Sequence, residues 1–106
     1  MKLPTVFAPS TPPGCSGIAV IRITGEAAPR VLEELTGRPI PAPRKASRRR
    51  LLDEAGSMVD DALVLYFPAP ASFTGEDVVE LHCHGGRAVT AAVLARLSDF
   101  DGVLPA

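Results

Sequence analysis

Apolar and β-branched residues concentrate in three short segments of the chain, and this pattern predicts three strands. The segments are Gly17–Gly25 (GIAVIRITG), Asp60–Phe67 (DDALVLYF) and residues 76–84 (EDVVELHCH). Glycines bound the first segment, whose composition is typical of a strand buried on both faces. Two prolines, Pro68 and Pro70, end the second segment.

Apolar residues recur at helical spacing in two other segments. The first, Glu26–Gly37, carries Val31, Leu32 and Leu35, with Pro29 in a position that a first helical turn tolerates. Gly37 is a C-terminal stop signal. The second predicted helix, Ala88–Leu97, has an apolar stripe formed by Val89, Val93, Leu94 and Leu97.

A basic segment, RKASRRRLLD, lies between the first helix and the second strand. Five basic residues within seven positions suit solvent better than a core, so the segment is interpreted as an edge strand or a loop. A solvated edge is the favoured explanation of Arg44, Lys45 and Arg48–Arg50. Contact with phosphate or with a polyanionic ligand tail is the second.

Strands interspersed with two helices predict an α+β domain with a small mixed β-sheet and two helices. At 106 residues the chain forms one domain, residues 1–106. A hydrophobic fraction of 46% with 22% charged residues fits a globular class, and a net charge of −1 predicts no general attraction to nucleic acid or membranes. Two cysteines and no long apolar N-terminal stretch predict a cytoplasmic protein with reduced thiols and no membrane association.

The segment FTGEDVVELHCHGG combines three carboxylates, two histidines and a cysteine. Strand alternation places Glu80, His82 and His84 on one face, which raises the possibility of a metal site. In a straight strand Glu80 and His84 lie roughly 13 Å apart, too far to share one ion without a bend or another ligand. We therefore expect no metal, and interpret these side chains as lining a cleft or a core edge.

Arg22 and Glu80 each lie within an otherwise apolar strand, which is a costly place for a charge. One explanation is an internal ion pair, or two side chains that point to solvent from one sheet face. The other is that both flank a pocket whose ligand offers donors to the carboxylate and negative charge to the guanidinium. The residues alone leave both open.

Two glycine-containing segments carry weaker signals. TPPGCSG, residues 11–17, predicts a turn followed by a glycine loop. HGGR is too short for a dinucleotide fingerprint, and no GxxxxGK[ST] occurs, so we expect no GTP hydrolysis by this chain.

The succession TPPGCSGIAVIRITG, then DDALVLYFPAPASFTGEDVVELHCHGG, then an apolar helix resembles the N-terminal domain of the tRNA modification GTPase family MnmE (TrmE). The resemblance runs from about Thr5 to Leu97. It implies a tetrahydrofolate-binding fold similar to the folate-binding domain of the glycine-cleavage aminomethyltransferase, and a homodimer contact. It also implies a longer protein with a helical domain and a GTPase domain, of which the GTPase domain binds GTP, magnesium and potassium.

By the same resemblance, Arg22 and Glu80 correspond to folate-binding residues. The implied cofactor is a tetrahydrofolate derivative in the 5-formyl or 5,10-methylene form. The implied partners are a second copy of the chain and, through the full-length protein, GidA (MnmG) and tRNA, whose wobble uridine receives a carboxymethylaminomethyl group. The alternatives are a structural dimerisation module without ligand and a stand-alone folate-dependent one-carbon transferase.

Overall fold

A computed structural model describes residues 4–10, 17–72, 74–84 and 86–106. They form a six-stranded mixed sheet and two helices, which confirms the predicted α+β class. The elements in chain order are β1 (Thr5–Pro9), β2 (Ile18–Thr24), α1 (Ala28–Thr36), β3 (Ser47–Leu52), β4 (Met58–Phe67), β5 (Val78–His84), α2 (Arg87–Ser98) and β6 (Val103–Pro105). The strand order is β3-β4-β5-β2-β1-β6, and only the β1–β6 pair is parallel among these strands.

The predicted strands and helices are confirmed with small shifts at their ends. The basic segment forms edge strand β3, and β4 begins two residues before the predicted Asp60. In α1, Pro29 lies in the first turn, and Gly37 ends the helix with φ 67° and a hydrogen bond from its N–H to Glu33 O. The left-handed conformation at Gly37 is one that glycine adopts without steric cost.

Two strands were not predicted from the pattern. β1 is five residues long and ends at Pro9, and β6 has three residues. Neither is long enough for alternation to be recognised, and their parallel pairing joins residues almost one hundred positions apart, from Thr5 to Val103. Gly25, at the end of β2, allows a close approach to β1, because a Cβ there would lie 2.7 Å from the Cα of Thr5.

Both helices pack on the same face of the sheet and form one core with it. Ile21, Ile23, Val64 and Leu81 of the sheet are fully buried in this core. The predicted stripe of α2 is confirmed, since Val93 and Leu97 are buried and Val89 and Leu94 are packed against the core. The helices in the described part of the chain are all too short or too polar to span a membrane.

The opposite face of the sheet carries no helix among the described elements, and it corrects one prediction. β2 was expected to be buried on both faces, whereas it alternates between buried Ala19, Ile21 and Ile23 and the more exposed Ile18, Val20 and Arg22. This second face, termed the helix-free face below, is where the candidate site lies.

Candidate functional site

Arg22 and Glu80 are direct cross-strand partners at the centre of the helix-free face, on β2 and β5. The guanidinium of Arg22 donates two hydrogen bonds to Oε2 of Glu80, from Nε at 3.1 Å and from Nη2 at 2.7 Å. The Arg22 side chain is 29% exposed and that of Glu80 17% exposed. The internal ion pair, one of the two explanations drawn from the sequence, is therefore present, and it remains within reach of solvent.

His82, two residues along β5, contacts the other oxygen of the same carboxylate. Its Nε2 lies 3.1 Å from Oε1 of Glu80. The carboxylate is thus held from both sides, by a cation on the neighbouring strand and by an imidazole on its own strand. We refer to Arg22, Glu80 and His82 as the carboxylate cluster.

The cluster keeps Glu80 ionised. Burial opposes the charge of the carboxylate, but the hydrogen bonds and charges of Arg22 and His82 outweigh it, so the pKa of Glu80 lies below its ordinary value. Near neutral pH the cluster therefore presents a fixed, oriented anion on the surface of the sheet.

Apolar side chains border this anion along and beside its row of the sheet. Ala8 is the cross-strand partner of Arg22, and Leu65 is that of Glu80. In the adjacent row Leu63 lies opposite His82 and is 48% exposed. A charged pair between apolar neighbours on an open surface provides both a polar anchor and a flat wall for an aromatic ligand.

The carboxylate has spare acceptor capacity. Two oxygens offer about four lone-pair positions, and the cluster fills three of them, two from Arg22 and one from His82. One further donor can bind without disturbing the cluster. The free position is on Oε1, because both hydrogen bonds of Arg22 go to Oε2. A ligand that donates one hydrogen bond to each oxygen therefore has to displace one of the two Arg22 hydrogen bonds.

His84 does not join the cluster. Its Nδ1 lies 2.7 Å from Oδ1 of Asp60, and its backbone N–H donates to Oδ2 of the same residue at 2.9 Å. His82 thus contacts Glu80 and His84 contacts Asp60, so Glu80, His82 and His84 do not converge on one point. No group of three or more metal-ligating side chains is found among the described residues.

Asp60 and Cys83 are buried on the helix side of this region. Asp60 is 7% exposed, and sequence reasoning did not single it out. Asp60 alternates along β4 with Ala62 and Val64, which face the core, and this alternation was the signal that could have indicated its burial. Burial and the charge of Asp60 raise the pKa of the Cys83 thiol to about 12, so Cys83 is a protonated core residue at neutral pH.

Several sequence-based interpretations fall on residues 11–16, 73 and 85, which lie outside the described residues. They concern the TPPGCSG turn, Cys15 and the first glycine of the HGG segment. The second glycine, Gly86, precedes α2 with φ −64° and open space around its Cα. This conformation is accessible to any residue, so the entry into α2 does not require a glycine at Gly86.

Comparison with known proteins identifies the family. The profile described as "GTP-binding protein TrmE N-terminus" matches residues 5–106. A protein from Paramagnetospirillum magneticum named tRNA modification GTPase MnmE is 57% identical over 102 residues, which cover 96% of this chain and 23% of that protein. The protein of the same name from Rhodospirillum rubrum is 50% identical over an alignment that covers 100% of this chain and 26% of its own length.

The chain spans about a quarter of the length of these relatives. The family match nevertheless covers nearly every residue, from the first strand to the last. The chain belongs to the family of TrmE N-terminal domains, the N-terminal part of the tRNA modification GTPase MnmE.

Proposed function

We propose that this chain is the folate-binding and dimerisation domain of a cytoplasmic tRNA modification GTPase. In this proposal the full-length protein acts with GidA (MnmG) to add a carboxymethylaminomethyl group to the wobble uridine of tRNA. Tetrahydrofolate, in its 5-formyl or 5,10-methylene form, supplies the one-carbon unit. GTP, magnesium and potassium belong to the remainder of the protein. Family membership and the names of the relatives support this assignment.

The observation that carries the folate proposal is the carboxylate cluster. A reduced pterin presents a ring N–H beside an exocyclic amino group, and a carboxylate accepts such a donor pair with both oxygens. Glu80 is ionised, oriented and partly exposed. Leu65 and Ala8 extend its row with apolar surface that suits a flat ring. Arg22 adds a forked donor for a ring carbonyl or a carboxylate of the folate tail.

The lone-pair count makes the binding mode specific. Since Oε1 has one contact, with His82, and Oε2 accepts two hydrogen bonds from Arg22, a pterin that donates to both oxygens takes the free position on Oε1 beside His82 and replaces one of the two Arg22 hydrogen bonds. Arg22 stays, because it neutralises the buried charge. Binding of folate should thus change the environment of His82 without breaking the ion pair.

Nuclear magnetic resonance tests this location. Addition of 5-formyltetrahydrofolate to the isotope-labelled chain should shift the backbone signals of β2 and β5 around Arg22 and Glu80 and the imidazole signals of His82. Signals of the exposed Arg38 and Arg50, near the far edge of the sheet, serve as the internal control and should stay in place. Shifts confined to residues away from β2 and β5 would contradict the proposed site.

Dimerisation is the second part of the proposal. A domain of this size gains stability by burying apolar surface against a second copy. Ile18 and Leu63 on the helix-free face are 57% and 48% exposed, so this face offers such surface. Sedimentation equilibrium should show a dimer at micromolar concentration, and a monomer at high micromolar concentration would contradict it.

Two other functions make different predictions. A structural dimerisation module would dimerise without binding folate, and substitution of Glu80 would leave all its properties except stability unchanged. A stand-alone one-carbon transferase would need a general base beside the folate. In the described part of the site His82 is the residue of suitable chemistry, and turnover of 5,10-methylenetetrahydrofolate by the isolated chain would favour that reading.

A further inference from the structure

A second site of a different chemistry lies at the edge of the sheet. A cleft of about 620 Å³ between the end of α1 and strand β3 is lined by four arginines, Arg38, Arg48, Arg49 and Arg50, together with Thr36, Leu52 and Asp61. Asp61 is the acidic residue among these lining residues, so the cleft carries three positive charges in excess. The whole chain, by contrast, has a net charge of −1.

The cleft surrounds the free edge of β3. Successive side chains of a strand point to opposite faces, yet three consecutive arginines line the same space. Arg48 and Arg50 share the face of Asp61 and Leu63, with which they pair, whereas Arg49 lies opposite Ala62 on the helix side. An extended anionic chain that follows the strand edge would thus meet guanidinium groups from both sides.

Most of this positive charge is not neutralised by the protein. Arg48 is paired with Asp61, and its Nε lies 3.0 Å from both carboxylate oxygens. Within the described chain no ion pair joins Arg38 or Arg50 to a carboxylate. Nε of Arg49 is buried without a hydrogen-bond partner among the described residues, although Nη1 donates to Arg48 O. A buried N–H donor without an acceptor is costly, so the protein itself does not satisfy the guanidinium of Arg49 fully.

The sequence around the cleft shows the same bias. Residues 38–52 contain six of the eleven basic residues of the chain and no acidic residue, and five of the six are arginine. Arginine carries a planar fork of donors that fits phosphate oxygens, and its charge is not lost at any physiological pH. Charged residues on an edge strand also prevent sheet-to-sheet aggregation, which is the simpler explanation. That role requires neither a cleft nor a buried free donor.

We propose that the cleft between α1 and β3 binds the phosphate backbone of RNA. The choice of RNA over an acidic peptide rests on the proposed role in tRNA modification, whereas the anion site itself rests on the arginines. A neighbouring cavity lined by Arg48, Asp61 and His82 lies between the cleft and the carboxylate cluster. Arg38 and Arg50 line the cleft and not that cavity, so they are the residues that distinguish the two sites. Asp61 competes with the RNA phosphates for Arg48.

Fluorescence anisotropy with a labelled tRNA anticodon-arm hairpin tests the proposal. The double variant Arg38→Gln/Arg50→Gln should weaken binding at least roughly tenfold, because each charged hydrogen bond contributes that order of affinity. It should also flatten the dependence of log K on log salt by about 0.7 to 0.9 per lost phosphate contact. The double variant Arg30→Gln/Arg87→Gln, which removes two exposed arginines of α1 and α2 outside the cleft, is the charge-matched control and should keep the parent affinity.

Asp61→Asn provides a test in the opposite direction. It frees Arg48, so RNA should bind more tightly with a steeper salt dependence. The proposal would be overturned if Arg38→Gln/Arg50→Gln bound RNA as tightly as the parent, or if Asp61→Asn bound RNA more weakly. It would also be overturned if poly-glutamate bound the parent as tightly as RNA does. Folate titration of the same variants separates the two sites. If RNA binding changes and folate binding does not, the result supports RNA binding at the cleft between α1 and β3. If RNA binding does not change, the proposal for the cleft fails and the folate proposal is unaffected.

Discussion

Arg22 and Glu80 lie 58 positions apart in the chain and face each other across the β2–β5 pair, with Nη2 of the arginine 2.7 Å from Oε2 of the glutamate. Both side chains are largely but not fully buried. Such a pair contributes modestly to stability, because the cost of removing two charges from water offsets much of their attraction. A ligand that donates hydrogen bonds to the Glu80 carboxylate binds an acceptor that is already oriented.

Replacement of Arg22 by Ala should leave the domain folded. We expect the free energy of unfolding to fall by about 1–2 kcal/mol, since Glu80 loses charged hydrogen bonds but keeps His82 and partial solvent access. Urea unfolding followed by circular dichroism measures this change. A variant that does not fold would show that the pair is chiefly structural, contrary to its proposed place in a binding site.

The depressed pKa of Glu80 predicts how stability depends on pH. The unfolded chain takes up the proton at about 4.3, the ordinary value for glutamate, and the folded chain takes it up at lower pH. The cluster therefore contributes stability that is fully present above about pH 4.3 and is lost as the pH falls through the folded-state pKa.

Glu80→Gln removes this titration. Urea unfolding of the parent and the variant at a series of pH values should give a stability difference that is largest near neutral pH and shrinks below about pH 4.3. A difference that stays constant down to about pH 3 would contradict a depressed pKa for Glu80.

Alternation along the strands predicted a large part of this site. It placed Glu80, His82 and His84 on one face of β5, and the structure has them on one face. The basic composition of residues 44–50 likewise predicted an edge position for β3, which the structure confirms.

Which strands pair could not be predicted from these local patterns. The contact between Arg22 and Glu80 depends on the register of β2 against β5, and the separation of His84 from the cluster depends on Asp60 of β4. Both are long-range relationships that no periodicity encodes. The edge cleft also needs the end of α1 to lie beside β3, so the sequence indicated its charge but not its cavity.

Cys83 should be unreactive in the folded chain. Its thiol is 1% exposed and its pKa is raised to about 12, so almost no thiolate forms near neutral pH. In a Cys15→Ser background, reaction with a disulfide reagent at pH 8 should be slow and should accelerate strongly in urea. Rapid reaction of the folded protein would contradict the burial of Cys83.

The central claim is that Glu80 anchors a reduced folate, and isothermal titration calorimetry with 5-formyltetrahydrofolate and 5,10-methylenetetrahydrofolate tests it most directly. Glu34→Gln is the matched control, because Glu34 is also a glutamate paired with an arginine but lies on α1, on the other side of the sheet. We predict that Glu80→Gln weakens folate binding by about 1–3 kcal/mol, since an amide confronts a ring donor, while Glu34→Gln binds like the parent. Equal affinity of Glu80→Gln and the parent, with both folded, would contradict the claim.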